Sequence, residues 1–386
     1  MNRYSRLMLV SVLMFSFLFS LQAEDTVQPN SYFLHFAGDL MAHRPNFSMS
    51  EYSRIYDDVV PLLADGDLNF VNLEFVIDPD REYSSYPLFN VHPEYVQAAI
   101  DAGFSVFSVA NNHSADFRGD GILATRESIQ QLKSSPENSQ RKLYFSGIKD
   151  LPDSGFRLEI IPMGDWRIGF VAATGLLNDW EGRELVNFTF YSRERQAFLK
   201  WISEVRSQVD LLIVSYHDGV EYQIFPDGRK QRYMRQMAQA GADIVWGHHP
   251  HVLQPMELLP VRRAGVDYHA VIIYSAGNFI SSQTWQLEWK DYHEQRAYTG
   301  DSAIYRVLLM PRGQHLIPAS VQAIPVTHFT NSYGDIVVRR MLPLIFESMV
   351  SSGGLSEQWQ QYYLYRYARM RSLFSSPYGQ DHVFVP

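Results

Sequence analysis

The chain has 386 residues, of which 46% are hydrophobic, enough to form the core of one large domain or two ordinary ones. Its formal net charge is −9 and it has no block of lysine or arginine, so no nucleic acid partner is expected. The chain has no cysteine, which excludes disulfides, thiolate metal ligands and a cysteine nucleophile. Any metal must therefore be held by His, Asp, Glu or Asn, a donor set that suits Zn, Mn or Fe without selecting among them.

The first 23 residues have the pattern of an export signal. A basic start precedes an apolar stretch from Leu7 to Leu21, and the small residue Ala23 stands ahead of an acidic pair. Leu21 occupies a position where cleavage sites favour a small residue, so both a cleaved signal peptide and a retained N-terminal anchor fit the pattern. Both interpretations predict an exported chain, periplasmic or at the cell surface.

Beyond the leader, the sequence predicts apolar strands alternating with helices. The predicted strands are 32–39, 68–77, 104–110, 157–162, 166–174, 210–217, 244–246, 271–278, 303–310 and 320–327. The predicted helices are 51–63, 92–102, 121–132, 192–208, 231–240, 341–350 and 356–374. This alternation indicates an α/β sandwich with its site at the strand ends. The expected division is a leader over 1–23, the α/β domain over 24–330 and a small C-terminal helical extension over 331–386.

A cluster of histidines follows one of these strands. The apolar run from Ile244 to Trp246 ends at Gly247, and His248, His249 and His251 follow around Pro250. Bends at the glycine and the proline free these side chains from strand alternation, so the imidazoles can converge on a cation. One histidine in such a loop is more often a hydrogen-bonded structural residue, whereas three together favour a metal site.

Several other strands also end in polar residues that can bind metals. These positions are Asp39, Glu74, Asn112 with His113, His217, His249 with His251, and Asn278. Gly-Asp and Asn-Asn are common turn pairs, and a strand glutamate is often ion-paired, so each position alone has an ordinary structural explanation. Together, in one α/β arrangement, they indicate a shared site.

These motifs resemble the CapA family of capsule and poly-γ-glutamate synthesis proteins. The resemblance covers about 33–280 and rests on Ala-Gly-Asp39-Leu-Met, Asn72-Leu-Glu74, Ala110-Asn-Asn-His113-Ser-Ala-Asp116, His217-Asp-Gly-Val-Glu-Tyr222, Gly247-His-His-Pro-His-Val-Leu-Gln-Pro-Met-Glu257 and Tyr274-Ser-Ala-Gly-Asn-Phe279. The wider group that the chain is similar to is the calcineurin-like metallophosphoesterases. That likeness implies a four-layer αββα sandwich with a two-metal site.

The resemblance also implies a role for each site residue. Asp39 and His251 would bind the first metal, Glu74 would bridge the two, and His113 would be the general acid. Asn112, His217 and His249 would bind the second metal, with His248 as a supporting or alternative ligand. The implied cofactors are two divalent ions, and such a pair can hydrolyse or transfer a phosphoester or a γ-glutamyl amide.

Two departures leave the function open, and one is that Glu74 stands where the wider group has a bridging aspartate. The wider group begins its site with Asp-x-His, but here Met41 follows Asp39-Leu40, and a methionine is a poor ligand for a hard cation. His43 is near enough to be a substitute, although its spacing differs. The leading expectation is an exported protein for synthesis, anchoring or release of an anionic capsule polymer, working with membrane-bound capsule machinery. The alternatives are a non-enzymatic export or anchoring factor with a degenerate site and a general periplasmic phosphoesterase.

Overall fold

The computed structural model describes residues 31–152, 154–284, 286–350 and 355–374. The predicted leader over 1–23 lies outside the described residues. Within the described ranges the strands form an eight-stranded sheet, a six-stranded sheet and a small two-stranded sheet. No helix in these ranges combines the length and the apolar composition that crossing a membrane requires.

The strands and helices are numbered in chain order. The strands are β1 Tyr32–Leu40, β2 Leu68–Leu73, β3 Val76–Ile77, β4 Asn90–Val91, β5 Val106–Ser108, β6 Tyr144–Ser146, β7 Glu159–Met163, β8 Trp166–Thr174, β9 Leu211–His217, β10 Ile244–His248, β11 Met256–Arg263, β12 Val266–Ile273, β13 Asn278–Ile280, β14 Asp301–Arg312, β15 His315–Thr330 and β16 Ile336–Arg340. The α-helices are α1 Arg44–Phe47, α2 Val60–Leu63, α3 Pro93–Asp101, α4 Arg118–Ser134, α5 Ser192–Val205, α6 Gly228–Ala240, α7 Gln295–Tyr298, α8 Met341–Val350 and α9 Glu357–Phe374. Short 3-10 helices occupy Tyr52–Ile55, Pro136–Asn138, Arg183–Leu185, Arg206–Gln208 and Trp289–Asp291.

Both large sheets combine parallel and antiparallel strands. The larger has the order β16-β15-β14-β1-β2-β5-β6, with β13 also beside β1. Its strands β1, β2, β5 and β6 are parallel. The smaller has the order β11-β12-β10-β9-β8-β7, in which the four central strands are parallel. The carboxyl ends of these parallel strands carry the polar residues that the sequence singled out.

The two sheets pack face to face through aromatic side chains. Phe36 and Phe70 of the larger sheet stack with ring centroids 4.5 Å apart, and Trp246 of the smaller sheet lies 5.7 Å from Phe36. The Trp246 indole N–H donates a 2.9 Å hydrogen bond to the Ala37 carbonyl, so the core contact also fixes the sheets relative to each other. Aromatic pairs at such distances add to the stabilisation from burial.

Helices cover the outer faces of both sheets. Tyr95 of α3 and Ile129 of α4 pack in one apolar cluster with Phe107 of the larger sheet. On the smaller sheet, Phe198 of α5 and Met234 of α6 pack in a cluster with the β9 and β12 strands. The layer order is therefore helix, sheet, sheet, helix, which confirms the predicted αββα sandwich.

The C-terminal helices α8 and α9 pack on the sandwich core. Met341 of α8 and Met370 of α9 belong to the same apolar cluster as Tyr305 of β14. Arg366 of α9 is also buried and forms hydrogen bonds with Asp301 at 2.6 and 2.9 Å. Both helices lie where the sequence predicts them. Strand β16 joins the larger sheet from within the predicted extension 331–386, and the division at residue 330 stays a prediction.

The predicted helix over 51–63 is wrong as a continuous element. The structure has a 3-10 turn at Tyr52–Ile55 and a single helical turn at Val60–Leu63. Pro61 lacks a backbone N–H and its ring clashes with the carbonyl four residues earlier, so a helix can begin at this point but cannot run through it.

Candidate metal centre

Strand register places the polar strand ends side by side. Asp39 on β1 is level with Asn72 on the parallel strand β2 and with Asn278 on β13. In the smaller sheet, His217 on β9 is level with His248 on β10. Because the carboxyl ends of parallel strands share one edge, each sheet presents its polar residues together.

The two polar edges meet across the sandwich. His248 Nδ1 lies 2.8 Å from Asp39 Oδ1, which joins one sheet to the other. Asn72 Nδ2 donates to the same Asp39 oxygen at 3.0 Å and lies 3.4 Å from Glu74 Oε2. The six predicted metal ligands Asp39, Glu74, Asn112, His217, His249 and His251 are all buried at this junction.

Three groups of side chains have donor atoms close enough to hold an ion. They are Asp39 with Glu74 and His251, Glu74 with His217 and His249, and Glu221 with His249 and His251, and in each the ligand atoms lie within 4.8 Å of one another. Glu74 belongs to two of these groups, because its Oε1 lies 3.7 Å from His217 Nε2 and 3.8 Å from His251 Nε2. These groups are compatible with metal binding.

Burial leaves several of these donor atoms without partners. Among the described residues, Glu74 Oε1, His217 Nδ1 and His249 Nδ1 are buried and have no hydrogen-bond partner. Unpartnered buried polar atoms are costly, and a bound ion is one of their recognised explanations. The carboxylate and imidazole donors therefore fit a divalent cation.

The pKa values of the two buried carboxylates, Asp39 and Glu74, are shifted in opposite directions. Burial, and then the nearby charge of Asp39, raise the pKa of Glu74 well above its usual range. Burial also disfavours the charged form of Asp39, but the hydrogen bond with His248 and the surrounding imidazoles outweigh it and hold its pKa well below the usual range. Burial lowers the pKa of His217 and His249, which keeps both imidazoles neutral. Neutral imidazole is the form that binds metals.

The histidine loop has an unusual backbone. His249 has φ +91° and His251 has φ +58°, both in the left-handed region that non-glycine residues seldom adopt. Lys230 supports the loop, because its buried ammonium donates a 2.9 Å hydrogen bond to the His248 carbonyl. Burial lowers the pKa of Lys230 to about 7. Backbone strain of this kind is concentrated at functional sites, and here it places neighbouring imidazoles on one centre.

A glycine allows β1 to reach this centre. A Cβ on Gly38 would lie 1.9 Å from the Gly277 carbonyl oxygen, so only glycine fits at this position. Gly277 itself has φ +74° and accepts a 2.9 Å hydrogen bond from the Asp39 N–H. The close approach sets Asp39 beside the loop that carries Asn278.

Asn112 and His113 form the opposite wall. Asn112 Oδ1 lies 2.7 Å from His217 Nε2. His113 Nδ1 lies 2.7 Å from Asp116 Oδ2, a contact that orients the ring by engaging Nδ1. The Asn178 side chain contacts both Asn112 and His113, since its Oδ1 lies 3.2 Å from Asn112 Nδ2 and its Nδ2 lies 3.2 Å from His113 Nδ1.

Comparison with known proteins identifies the family. Residues 33–283 match the family described as "Bacterial capsule synthesis protein PGA_cap". The chain belongs to this family.

Two relatives of this PGA_cap chain are named CapA. It is 27% identical over 288 residues to the PGA biosynthesis protein CapA of Bacillus subtilis, covering 72% of this chain and 71% of that protein. It is 28% identical over 287 residues to the capsule biosynthesis protein CapA of Bacillus anthracis, covering 69% of this chain and 61% of the relative. Among solved structures, it is similar to the calcineurin-like phosphoesterase YfkN of Bacillus subtilis, with 10% identity, a TM-score of 0.42, and coverage of 87% of this chain and 98% of that one.

Met41, which raised doubt about the first metal, and His43, its possible substitute, both lie outside the three ligand groups. Met41 is 1% exposed and packs in the apolar cluster beneath α3, while its carbonyl accepts a hydrogen bond from Tyr95. His43 takes part in none of the three groups, and its Nδ1 accepts a 3.3 Å hydrogen bond from the Ser282 N–H. His248 contacts Asp39 and is therefore placed as a supporting residue.

The sequence did not assign roles to several residues that orient the candidate ligands. Asn72 bonds Asp39, Asn278 Oδ1 lies 2.9 Å from His251 Nδ1, and Asn178 contacts Asn112. Asn72 and Glu74 lie two positions apart in the predicted strand 68–77, so alternation already places both side chains on the same face. Asn178 lies in a loop, where periodicity gives no comparable signal.

Proposed function

We propose that this protein acts outside the cytoplasm in the synthesis, anchoring or release of an anionic capsule polymer of the poly-γ-glutamate type, with a dinuclear metal centre. The observation that carries the proposal is Glu74, a fully buried carboxylate shared by two groups of candidate ligands. Export is supported by the leader pattern of residues 1–23, and the polymer by the names of the relatives.

The proposed centre uses the residues predicted from the sequence. Asp39, Glu74 and His251 would hold one divalent ion, and Glu74, His217 and His249, with Asn112, the other. Mn, Zn and Fe all suit these donors. When bound, such ions polarise a carbonyl or phosphoryl oxygen and supply a nucleophile at neutral pH.

The chain's own groups have separate duties around that centre. His248 and Asn72 fix the Asp39 carboxylate, and Asn278 orients the His251 ring. Asp116 engages Nδ1 of His113, so a protonated His113 ring can give its Nε2 proton to the leaving atom of a γ-glutamyl amide or a phosphoester and be left neutral, with Nδ1–H still bonded to Asp116.

Metal content tests the proposed ligands. The purified wild-type chain is expected to bind about two divalent ions, as two-metal hydrolases do. His217→Ala, His249→Ala and His251→Ala should each lower the metal content measured by elemental analysis. His269→Ala is the matched control, since His269 lies on β12 away from the three ligand groups. Wild-type metal content in all three ligand variants would show that the assignment is wrong.

Turnover tests the role of His113. His113→Ala should keep the metal and reduce hydrolysis of γ-glutamyl oligomers by about 10²- to 10⁴-fold, the range for loss of a general acid. Loss of metal together with activity would remove the acid role. Rapid turnover of simple phosphodiesters with none on γ-glutamyl oligomers would favour a general phosphoesterase.

A non-enzymatic export or anchoring factor is the second candidate function. Two observations favour it: Met41 lies in the apolar core, and Asp39 already has His248 as a close partner. Tight, stoichiometric metal binding without turnover of either substrate class would support this role. Membrane-bound capsule synthesis machinery would then be the direct partner.

A further inference from the structure

A cavity of about 570 Å³ opens beside the candidate metal centre. Pockets for small-molecule ligands typically occupy about 300 to 1,000 Å³, so this space is large enough for part of a polymer chain. Its lining includes His43, Arg44, Tyr222, Gln283, Gln295 and Arg296.

Two hydrogen-bonded links join this cavity to the histidine loop. The Tyr222 N–H donates to the Pro250 carbonyl at 2.8 Å, between the two histidines of the loop. Gln283 Oε1 accepts from Asn278 Nδ2 at 2.9 Å, and the other side of the Asn278 amide contacts His251. One wall of the cavity is therefore a single residue away from the candidate ligands.

Another part of the lining, His43, leads towards the candidate general acid. The ring of His43 packs edge-on against Phe89 with centroids 5.0 Å apart, and Phe89 packs against His113 at 4.7 Å. A substrate extending from the cavity would thus pass between the His251 side and the His113 side of the centre.

The charge of the cavity wall is opposite to that of the whole protein. The chain has a net charge of −9, yet the cavity is lined by two arginines and by no aspartate or glutamate. Within the described part of the chain, the Arg44 guanidinium forms no ion pair or hydrogen bond. The residue is held through its backbone, whose N–H donates to Ser85 Oγ at 3.2 Å and whose carbonyl accepts from the Ser48 N–H at 2.9 Å. Arg296 pairs with Glu294 at 3.0 Å, which leaves other N–H donors of its guanidinium available.

We propose that Arg44 and Arg296 bind a free carboxylate of the substrate, on the unit next to the bond held at the metal centre. This inference rests on the proposed function. A guanidinium bonds a carboxylate through paired N–H donors, and the amide side chains of Gln283 and Gln295 supply further polar contacts on the same wall. The cavity would then select an anionic γ-glutamyl chain over one whose free carboxylates are amidated.

Binding of defined oligomers tests this subsite without requiring turnover. Oligo-γ-glutamate and its fully amidated analogue are titrated into the full chain by calorimetry. Arg44→Gln and Arg296→Gln should each weaken oligo-γ-glutamate binding by about ten- to a hundredfold, the effect of losing one charge-assisted hydrogen bond. Arg44→Lys should lose less, because it keeps the charge. The amidated analogue should bind weakly to every form.

Controls separate this subsite from the metal centre. Arg262→Gln, an exposed arginine at the far end of the β11–β12 hairpin, should bind like the wild type. The arginine variants should keep wild-type metal content, so a chain that binds metal and oligomer but turns nothing over would refute the hydrolytic role and leave the subsite intact. Unchanged oligomer binding in both arginine variants, or equal binding of the amidated oligomer, would overturn the subsite. Arginine-dependent binding of inorganic phosphate alone would overturn the assignment to a carboxylate.

Discussion

Replacement of Glu74 by glutamine should change stability in opposite directions with and without metal. Glu74 is fully buried, and among the described residues its Oε1 has no hydrogen-bond partner. Without a cation, this oxygen lies near the Asp39 carboxylate, and burial raises the pKa of Glu74 well above its usual range. The acidic side chain therefore destabilises the metal-free fold and stabilises the protein only when a cation is bound.

The expected magnitude follows from the unpartnered oxygen. A buried polar atom without a partner costs about 1 to 3 kcal/mol, and more when it is charged. Glutamine has nearly the same shape and carries no charge. Its amide N–H groups can also donate hydrogen bonds to the neighbouring carboxylate. The metal-free Glu74→Gln variant should thus be about 1 to 3 kcal/mol more stable than the wild type, or roughly 2 to 6 °C in thermal midpoint.

Metal should reverse this order. An ion at about 100 times its dissociation constant stabilises a protein by about 2.7 kcal/mol per site, and Glu74→Gln should lose most of that gain. Calorimetry of chelated and metal-loaded samples measures both effects. Glu257→Gln is the matched control, because Glu257 is a buried glutamate bonded to Arg235 and Tyr274. It should be destabilised in both states and keep its response to metal.

A lower thermal midpoint for metal-free Glu74→Gln, together with an unchanged rise on adding metal, would refute the reasoning. That result would mean that Glu74 is an ordinary structural carboxylate and that neither of its ligand groups holds an ion. An unchanged metal-free midpoint with a lost metal response would keep the ligand role and remove only the stability argument.

Three further changes test the framework around the site. Gly38→Ala should lower the thermal midpoint and the metal content together, since its Cβ would lie 1.9 Å from a backbone oxygen, whereas Gly119→Ala, 4.0 Å from its nearest neighbour, should not. Burial lowers the pKa of His328 from 6.5 to about 4, so the unfolded chain takes up a proton first as pH falls. The contribution of neutral His328 to the free energy of unfolding is fully present above about pH 6.5 and should be lost, by up to about 3 kcal/mol, as the pH falls towards 4. In denaturation experiments over this pH range, His328→Asn should lose less stability than the wild type. Asp301→Asn should cost about 3 to 5 kcal/mol in thermal unfolding, because it leaves Arg366 buried without its carboxylate.

Much of the fold could be predicted because apolar residues repeat along the sequence with the period of a helix or a strand. The predicted strands 157–162 and 166–174 correspond to the antiparallel pair β7 and β8, and the helix predicted over 341–350 has the bounds of α8. Strand β11 was not predicted, since its burial pattern is mixed and Pro260 interrupts it. Proline is tolerated there because β11 is the edge strand of its sheet, a position that periodicity does not reveal.

The site could be predicted only as far as strands position it. Asp39, Glu74 and His217 lie at or beside the carboxyl ends of parallel strands, so the layout alone brings them to one edge. Asn178 reaches the centre from a loop, where its N–H donates a 2.9 Å hydrogen bond to the Asn112 carbonyl. Loop conformation depends on such individual bonds, and the sequence carries no periodic trace of them.

The methionine at position 41 shows why a single motif cannot decide whether this site works. In sequence, Met41 stands where the wider group has a histidine, and the structure places it in the apolar core. In space, Asp39 nevertheless has an imidazole 2.8 Å away, because His248 reaches it from the other sheet. That contact depends on the β9–β10 register and on the Trp246 hydrogen bond that fixes the two sheets. Asp39 is therefore paired with an imidazole from the other sheet, although its own strand supplies no histidine.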